Sequence, residues 1–164
     1  ERARKELKIL DSLYTLGAVN FDSIIIIDFG SSLKSVLASL VYSDVDDKTV
    51  LFTTINQWFD ESIFRGNSVK NLYFPSVDLK QFKKYNEKYF NTFGLKPDEI
   101  TILAYDALGL INYVWKKNNN VKNINDFFIK EEIKGKIGTF KFKDNKVLQK
   151  LKIYKIEKNK FKEY

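Results

Sequence analysis

The chain has 164 residues and a mass of 19.3 kDa, which suffices for one compact domain or two small lobes. It contains no cysteine and no histidine, so disulfides, thiolate nucleophiles, histidine-based triads and cysteine or histidine metal sites are excluded. The net charge of +7 is concentrated in residues 117–164, which hold 14 lysines and 6 acidic residues. The longest apolar run, Ile24–Ile27, is far shorter than the ~20 residues of a membrane-spanning helix.

The first half of the chain alternates helices and strands. Apolar spacing predicts a helix over Glu1–Leu16, ended by Gly17. The β-branched run over Phe21–Asp28 is typical of a central parallel strand covered on both faces, and a helix is predicted to begin near Ser32. Further along we predict a strand over Thr49–Thr53, a short helix near Glu61–Phe64 and a strand over Asn71–Phe74 that ends at Pro75. This alternation predicts an α/β fold, a parallel sheet between helical layers.

The second half is richer in helix. An amphipathic helix is predicted over Val77–Phe93, ended by Gly94. The next helix, Ile100–Trp115, is apolar nearly all round, so we expect it to be buried on several sides. A short helix at Ile124–Lys130 and strands at Lys136–Phe142 and Val147–Ile156 follow, and the last few residues are candidates for one more edge strand.

In their order along the whole chain, these motifs resemble the second half of type I periplasmic binding proteins. The resemblance is carried by Phe21–Asp28, Thr53–Trp58, Tyr85–Phe90 before Gly94 and Pro97, Ala104–Ala107 and Gly138–Phe142. It is strongest to penicillin-binding-protein activators, which are relatives of the leucine/isoleucine/valine receptors of ABC transporters. The resemblance implies a parallel three-layer sandwich that is incomplete at its N-terminal side. It also implies a non-catalytic ligand-binding or regulatory module, periplasmic or envelope-associated, with no cofactor and no metal.

The resemblance also implies a division of the chain into lobes. Residues 1–75 would form a second-lobe segment, residues 76–150 a first-lobe segment, and residues 151–164 a final strand crossing back. Because the chain begins at Glu1 and contains no Met, we expect it to be a piece of a longer protein. Without the missing N-terminal half, sheet edges and apolar helix faces would be exposed. We therefore expect association with that half or with another copy.

Ligands of open parallel sheets meet the loops at the carboxyl ends of the strands. The candidate ligand-binding residues there are Asp28, Phe29 and Ser31 after the first strand, Asn56, Gln57 and Trp58 after the second, and Ser76 after the third. In the resembled amino-acid receptors an acidic residue of the second loop holds the ligand's ammonium group. Here Asn56 and Gln57 stand in that loop, so Asp28 is the substitute candidate. Two alternatives stay open: Asp28 caps the following helix, and Trp58 is a packing anchor.

Several functions remain as hypotheses. The module either captures a small polar solute, such as a branched-chain amino acid for ABC uptake, or regulates cell-wall synthesis through a synthase partner. The second loop lacks the acidic residue that would hold the ammonium group of a ligand, and this favours regulation of cell-wall synthesis. An enzyme that uses Asp28 with Lys or Tyr is a further hypothesis, but no catalytic sequence motif supports it. Tyr105 and Asp106 could form an acid/base pair only in a cleft, and we expect their helix to line none, so we expect them to form hydrogen bonds in the core. Nucleic acid is disfavoured as a partner because only Arg2, Arg4 and Arg65 could make bidentate phosphate contacts.

Overall fold

The computed structural model describes residues 1–12, 19–65, 71–118, 121, 123–144 and 146–164. These residues form two compact units. The first unit comprises Glu1–Pro75 and Ile153–Tyr164, and the second comprises Ser76–Lys152. Of the first predicted helix, Leu13–Leu16 and the capping Gly17 lie outside the described residues.

Four helices and eight strands make up the regular structure of the described residues. In chain order they are α1 (Arg2–Ser12), β1 (Ser23–Ile26), α2 (Gly30–Tyr42), β2 (Leu51–Thr54), β3 (Leu72–Ser76), α3 (Leu79–Phe93), α4 (Glu99–Asn118), β4 (Ile133–Lys134), β5 (Thr139–Lys143), β6 (Lys146–Lys150), β7 (Lys152–Glu157) and β8 (Lys160–Glu163). Single 3-10 turns lie at Glu61–Phe64 and Ile124–Phe127. Among these residues, no helix is both long and apolar enough to cross a membrane.

The larger sheet has the strand order β1-β2-β3-β7-β8. Its first three strands are parallel, with Ile24 beside Phe52 and Phe52 beside Leu72. β8 pairs antiparallel with β7 and forms the far edge, as the sequence suggested for the last residues. The predicted α/β class with a parallel sheet is confirmed. α2 connects β1 to β2, because parallel strands need long crossovers.

The core of the first unit contains a cluster of aromatic side chains. Phe52, Phe74 and Tyr154 from three strands are almost fully buried. The ring of Phe59 meets Tyr154 edge-on at 4.8 Å between centroids, and it meets Phe161 of β8 at 5.4 Å. Edge-on aromatic pairs of this kind contribute about 0.5–1.5 kcal/mol beyond their burial. The cluster therefore joins the last two strands to the parallel part of the sheet.

The prediction of a central strand over Phe21–Asp28 is wrong. β1 is only four residues long and lies at the edge of the sheet. Ile25 and Ile27 are 73% and 79% exposed, so one face of the strand is uncovered. A run of β-branched residues predicts extended backbone, but burial on both faces also requires a covering layer.

The second unit combines α3, α4 and an antiparallel sheet of order β4-β5-β6. The predicted strand Val147–Ile156 is interrupted at Leu151, because β6 pairs with β5 whereas β7 belongs to the larger sheet. The helices are linked by a hydrogen bond of 3.1 Å from the Tyr85 hydroxyl to Thr101 Oγ1. Gly94 ends α3 in the left-handed conformation, with φ 73°, as the sequence predicted.

The prediction that α4 is buried on several sides is also wrong. Only Ile102 and Val114 of this helix are buried, whereas Ile100 is 72% and Leu108 68% exposed. Apolar residues all round a helix indicate burial only where other elements are present to cover every face. The described part of the second unit covers one side of α4.

A first prediction concerns Asp78, the N-cap of α3. Its carboxylate accepts a bond of 2.9 Å from the Gln81 N–H and lies 2.9 Å from Lys152 Nζ. The Gln81 bond, and to a lesser extent the Lys152 ammonium, lowers the pKa of Asp78. We expect Asp78→Ala to reduce the free energy of unfolding by about 1 kcal/mol, and Asp78→Asn to retain most of the cap.

Because the pKa of Asp78 is lowered, the loss of stability caused by Asp78→Ala depends on pH. A carboxyl whose pKa is lower in the folded than in the unfolded state stabilises the fold above its ordinary pKa, and this contribution is lost as the pH falls through the folded value. The difference between wild type and Asp78→Ala should therefore shrink in acid, as measured by urea unfolding at several pH values. A difference that is constant at every pH would assign the loss to packing.

Candidate functional site

The candidate site lies where β1 and β2 end. The two strands are parallel and Ile26 pairs with Thr54, so their following loops meet at one edge. Thr54 Oγ1 donates to the Ile26 carbonyl at 2.7 Å, and Gln57 Nε2 donates to the Asp28 carbonyl at 2.9 Å. These bonds tie the loops together. We name Asp28, Phe29, Ser31, Asn56, Gln57 and Trp58 the strand-end cluster.

Asp28 is the charged member of the strand-end cluster. Its carboxylate accepts bonds from the Ser32 hydroxyl at 2.5 Å and from the Phe29 N–H at 2.8 Å. These two bonds, the Ser32 bond first, lower the pKa of Asp28, so the group is an anion at neutral pH. The carboxylate thus anchors the first turn of α2, although Phe29, and not Asp28, is the N-cap residue.

The first loop presents an apolar ring beside that anion. Phe29 is 65% exposed and Ser31 is also exposed. α2 begins at Gly30, two residues earlier than predicted, and Gly30 has φ +61°, a conformation that other residues adopt only with strain. The turn therefore brings an aromatic ring and a carboxylate to the same strand end.

The second loop has an unusual backbone. Trp58 and Phe59 are consecutive left-handed residues, with φ 47° and 61°, which costs of order 1 kcal/mol each. The Asn56 side chain accepts a bond of 2.9 Å from the Trp58 N–H, and burial of the Phe59 ring offsets the strain. Phe59 is therefore the packing anchor of this loop, and Trp58 is half-exposed.

Gln57 is only 4% exposed, unlike its neighbours in the cluster. Besides the Asp28 carbonyl, its Nε2 donates to Thr54 Oγ1 and to the Ile55 carbonyl, both at 3.2 Å. A buried amide with these partners holds the loop in place. Thr54, which the sequence places after the predicted strand Thr49–Thr53, is instead the last residue of β2 and is buried.

Ser76, the candidate after the third strand, is more deeply buried than the other six. It is the last residue of β3, fully buried, and belongs to the second unit. The other six candidates all lie in the first unit. Their position at the carboxyl edge agrees with the reasoning that selected them, and their role in ligand binding stays a prediction.

Tyr105 and Asp106 lie in the second unit, where they line an open groove of about 510 Å³. The expectation that their helix lines no cleft is therefore wrong. Asp106 accepts backbone bonds from Lys136 at 2.6 Å and Ile137 at 3.4 Å, which fits the expected hydrogen-bonding role. A Cβ on Gly135 would lie 2.5 Å from this carboxylate, so the glycine permits the close approach. No cluster of three acidic groups suited to a metal ion occurs in the described residues.

Solved structures give the clearest likenesses, since no protein-family model and no curated protein matches the sequence. The leucine binding protein LivK of Thermotoga maritima has a TM-score of 0.62 at 12% identity, over 99% of this chain and 47% of that one. LivJ of Streptococcus pneumoniae, solved with isoleucine, gives 0.58 at 16% identity, over 89% and 44%. A solute binding protein of R. palustris, solved with benzoate, gives 0.57 at 12% identity, over 99% and 45%.

The chain therefore has the type I periplasmic binding fold, as its sequence motifs predicted. It spans less than half the length of these structural neighbours. At these identities the likeness establishes the fold, and the ligands named for those proteins are theirs.

A second prediction tests the cause of the Asp28 charge state. We expect Ser32→Ala to raise the pKa of Asp28 towards its ordinary value, because the Ser32 hydroxyl is the largest lowering influence. Carboxyl NMR titration measures the change directly. Ser39→Ala, which removes a hydroxyl bonded to the Ser35 carbonyl in the same helix, is the matched control. An unchanged Asp28 titration in Ser32→Ala would show that the hydroxyl is not the cause.

A third prediction tests whether the Gln57 side chain supports the loop or contacts a ligand. We expect Gln57→Leu to lower the free energy of unfolding by about 1 kcal/mol, because it removes the amide that donates to the part-buried Asp28 carbonyl and leaves Thr54 Oγ1 as its other donor. Urea unfolding measures this loss. If the variant is as stable as wild type but no longer binds a ligand, Gln57 is a binding residue.

Proposed function

We propose that the chain is part of a non-catalytic ligand-binding module of the bacterial envelope, and that the strand-end cluster contacts the ligand. The observation that carries this proposal is the Asp28 carboxylate, next in sequence to the exposed Phe29 ring, at the carboxyl edge of two parallel strands. Open α/β sheets bind ligands at that edge because free backbone amides and helix N-termini point there.

The chemistry of the cluster favours a small solute with a charged group and an apolar body. Asp28 would attract an ammonium group, Phe29 and Trp58 offer aromatic surface, and Ser31 and Asn56 offer polar atoms. Leucine and isoleucine, named for two of the structural neighbours, carry an ammonium group and an apolar body, whereas the benzoate named for a third has no ammonium group. A receptor for branched-chain or other amino acids in ABC uptake is the first form of the proposal.

Regulation of cell-wall synthesis, as in penicillin-binding-protein activators, is the second form. Asn56 and Gln57 stand in the loop in which the resembled receptors carry an acidic residue, and this difference favours the regulatory form. The Gln57 side chain donates to the Asp28 and Ile55 carbonyls, so it supports the loop, which also favours this form. Its partner would be a cell-wall synthase. Both forms place the protein in the periplasm or on the envelope.

We further propose that residues 1–75 form a second-lobe segment, residues 76–150 a first-lobe segment and residues 151–164 the strand that returns. A two-lobed receptor closes around its ligand, so full affinity requires both sides of a cleft. Because the chain spans less than half the length of its neighbours, the ligand experiment is best made on the complete gene product.

The fourth prediction is a thermal-shift screen of that protein with leucine, isoleucine, valine, other amino acids and benzoate. A ligand at 100 times its Kd should stabilise the fold by about 2.7 kcal/mol. We expect Asp28→Asn or Phe29→Ala to weaken binding about tenfold or more, since each removes a central contact.

Matched controls lie at the opposite end of the same unit. Asp46→Asn removes a carboxylate from the turn after α2, and Tyr42→Ala removes an aromatic side chain that is 86% exposed. Neither control should alter binding. Equal losses in controls and site variants would refute the strand-end site, and a blank screen together with purification of a cell-wall synthase would favour the regulatory form.

A further inference from the structure

The small sheet of the second unit has two chemically different faces. Residues directly opposite each other on antiparallel strands share a face, and side chains alternate along each strand. The register pairs Lys134 and Lys150 with Thr139, Leu148 with Lys141, and Lys146 with Lys143. One face therefore carries Lys134, Lys141, Lys143, Lys146 and Lys150 around Leu148 and Thr139, and we name it the lysine face.

The opposite face is mostly apolar. It carries Ile133, Phe140, Phe142 and Val147, and the ring of Phe128 meets Phe142 at 5.5 Å. Phe140 and Phe142 are only half-exposed, whereas all five lysines of the lysine face are exposed. Val147, near the turn, is 58% exposed, so the burial on this face is centred on Phe140 and Phe142, and the lysine face is the more solvent-exposed side of the sheet.

The charge of the lysine face is not neutralised within the described part of the chain. There, none of the five ammonium groups lies at ion-pair distance from a carboxylate, and the ion pairs present involve other cations. Lys143 and Lys146 stand directly opposite each other, an arrangement that destabilises a hairpin. An external anionic partner would relieve this repulsion.

The make-up of the lysine face indicates which partner fits. Its aromatic residues all lie on the opposite face, so it offers no ring on which the bases of a single strand could stack. It has no arginine for bidentate contacts to phosphate or guanine. It is instead a two-dimensional array of point charges with one aliphatic side chain, Leu148, 42% exposed at its centre.

We propose that the lysine face docks onto a surface of anionic phospholipid headgroups, with Leu148 reaching into the headgroup layer. Clustered lysines bind such surfaces through summed attraction, without specific geometry, and an apolar side chain adds to the affinity. This interaction is independent of whether the strand-end cluster binds a solute.

The fifth prediction uses the intact chain and vesicles of phosphatidylcholine with or without phosphatidylglycerol. Wild type should cosediment with the anionic vesicles only, and less so as salt is raised. The triple change Lys141→Gln, Lys143→Gln and Lys146→Gln should lower the partition coefficient on the order of 100-fold, about fivefold for each lysine. The control triple Lys80→Gln, Lys83→Gln and Lys84→Gln, on exposed positions of α3, removes equal charge and should change it only severalfold.

A single change, Leu148→Glu, provides a second test should the triple variant fold poorly, as judged by circular dichroism. It places an anion at the centre of the lysine face and should also abolish vesicle binding. Equal losses in the two triples, undiminished binding of Leu148→Glu, or equal binding to neutral vesicles would overturn the proposal. Binding of an oligonucleotide in the absence of vesicle binding, lost in the lysine-face triple, would assign the face to nucleic acid instead.

Discussion

The aromatic cluster around Phe59 is the contact on which the first unit depends. It joins Phe74 of β3, Tyr154 of β7 and Phe161 of β8 to the loop after β2. Burying one such ring contributes about 1.5–3 kcal/mol, which exceeds the cost of the left-handed backbone at Phe59. The same packing thus closes the antiparallel end of the sheet and holds the second loop of the strand-end cluster in a conformation that it would not adopt alone.

Side-chain hydrogen bonds, together with the aromatic cluster, hold the loops after β1 and β2 in place. The Thr54 hydroxyl donates to the Ile26 carbonyl and the Gln57 amide to the Asp28 carbonyl, so the two strand ends are bonded to each other. The Asp28 carboxylate is held in place by the Ser32 hydroxyl and the Phe29 N–H, which also lower its pKa. The two loops of the strand-end cluster are thereby connected by hydrogen bonds within the first unit.

The second unit divides its surface by charge. The hairpin sheet places its phenylalanines on one face and its lysines on the other, while α4 keeps apolar residues such as Ile100 and Leu108 exposed. Asp106 of α4 accepts bonds from the backbone N–H groups of Lys136 and Ile137, and the Asp78 N–H at the start of α3 donates to the Ile137 carbonyl. Specific polar contacts thus fix the loops of a unit whose apolar surface is only partly covered.

The sequence by itself determined the types of the elements, the parallel α/β class and the edge at which the candidate residues gather. Helix and strand periodicity and the Gly94 cap after α3 are local properties of the chain, whereas the predicted start of this helix at Val77 lies two residues before the observed start at Leu79. Only the tertiary structure decided that β1 is an edge strand and that α4 is largely exposed. It also decided that the Gln57 side chain is buried while the Phe29 ring is exposed to solvent. Burial depends on neighbours distant in sequence, and the same apolar run is core or surface according to whether another layer covers it.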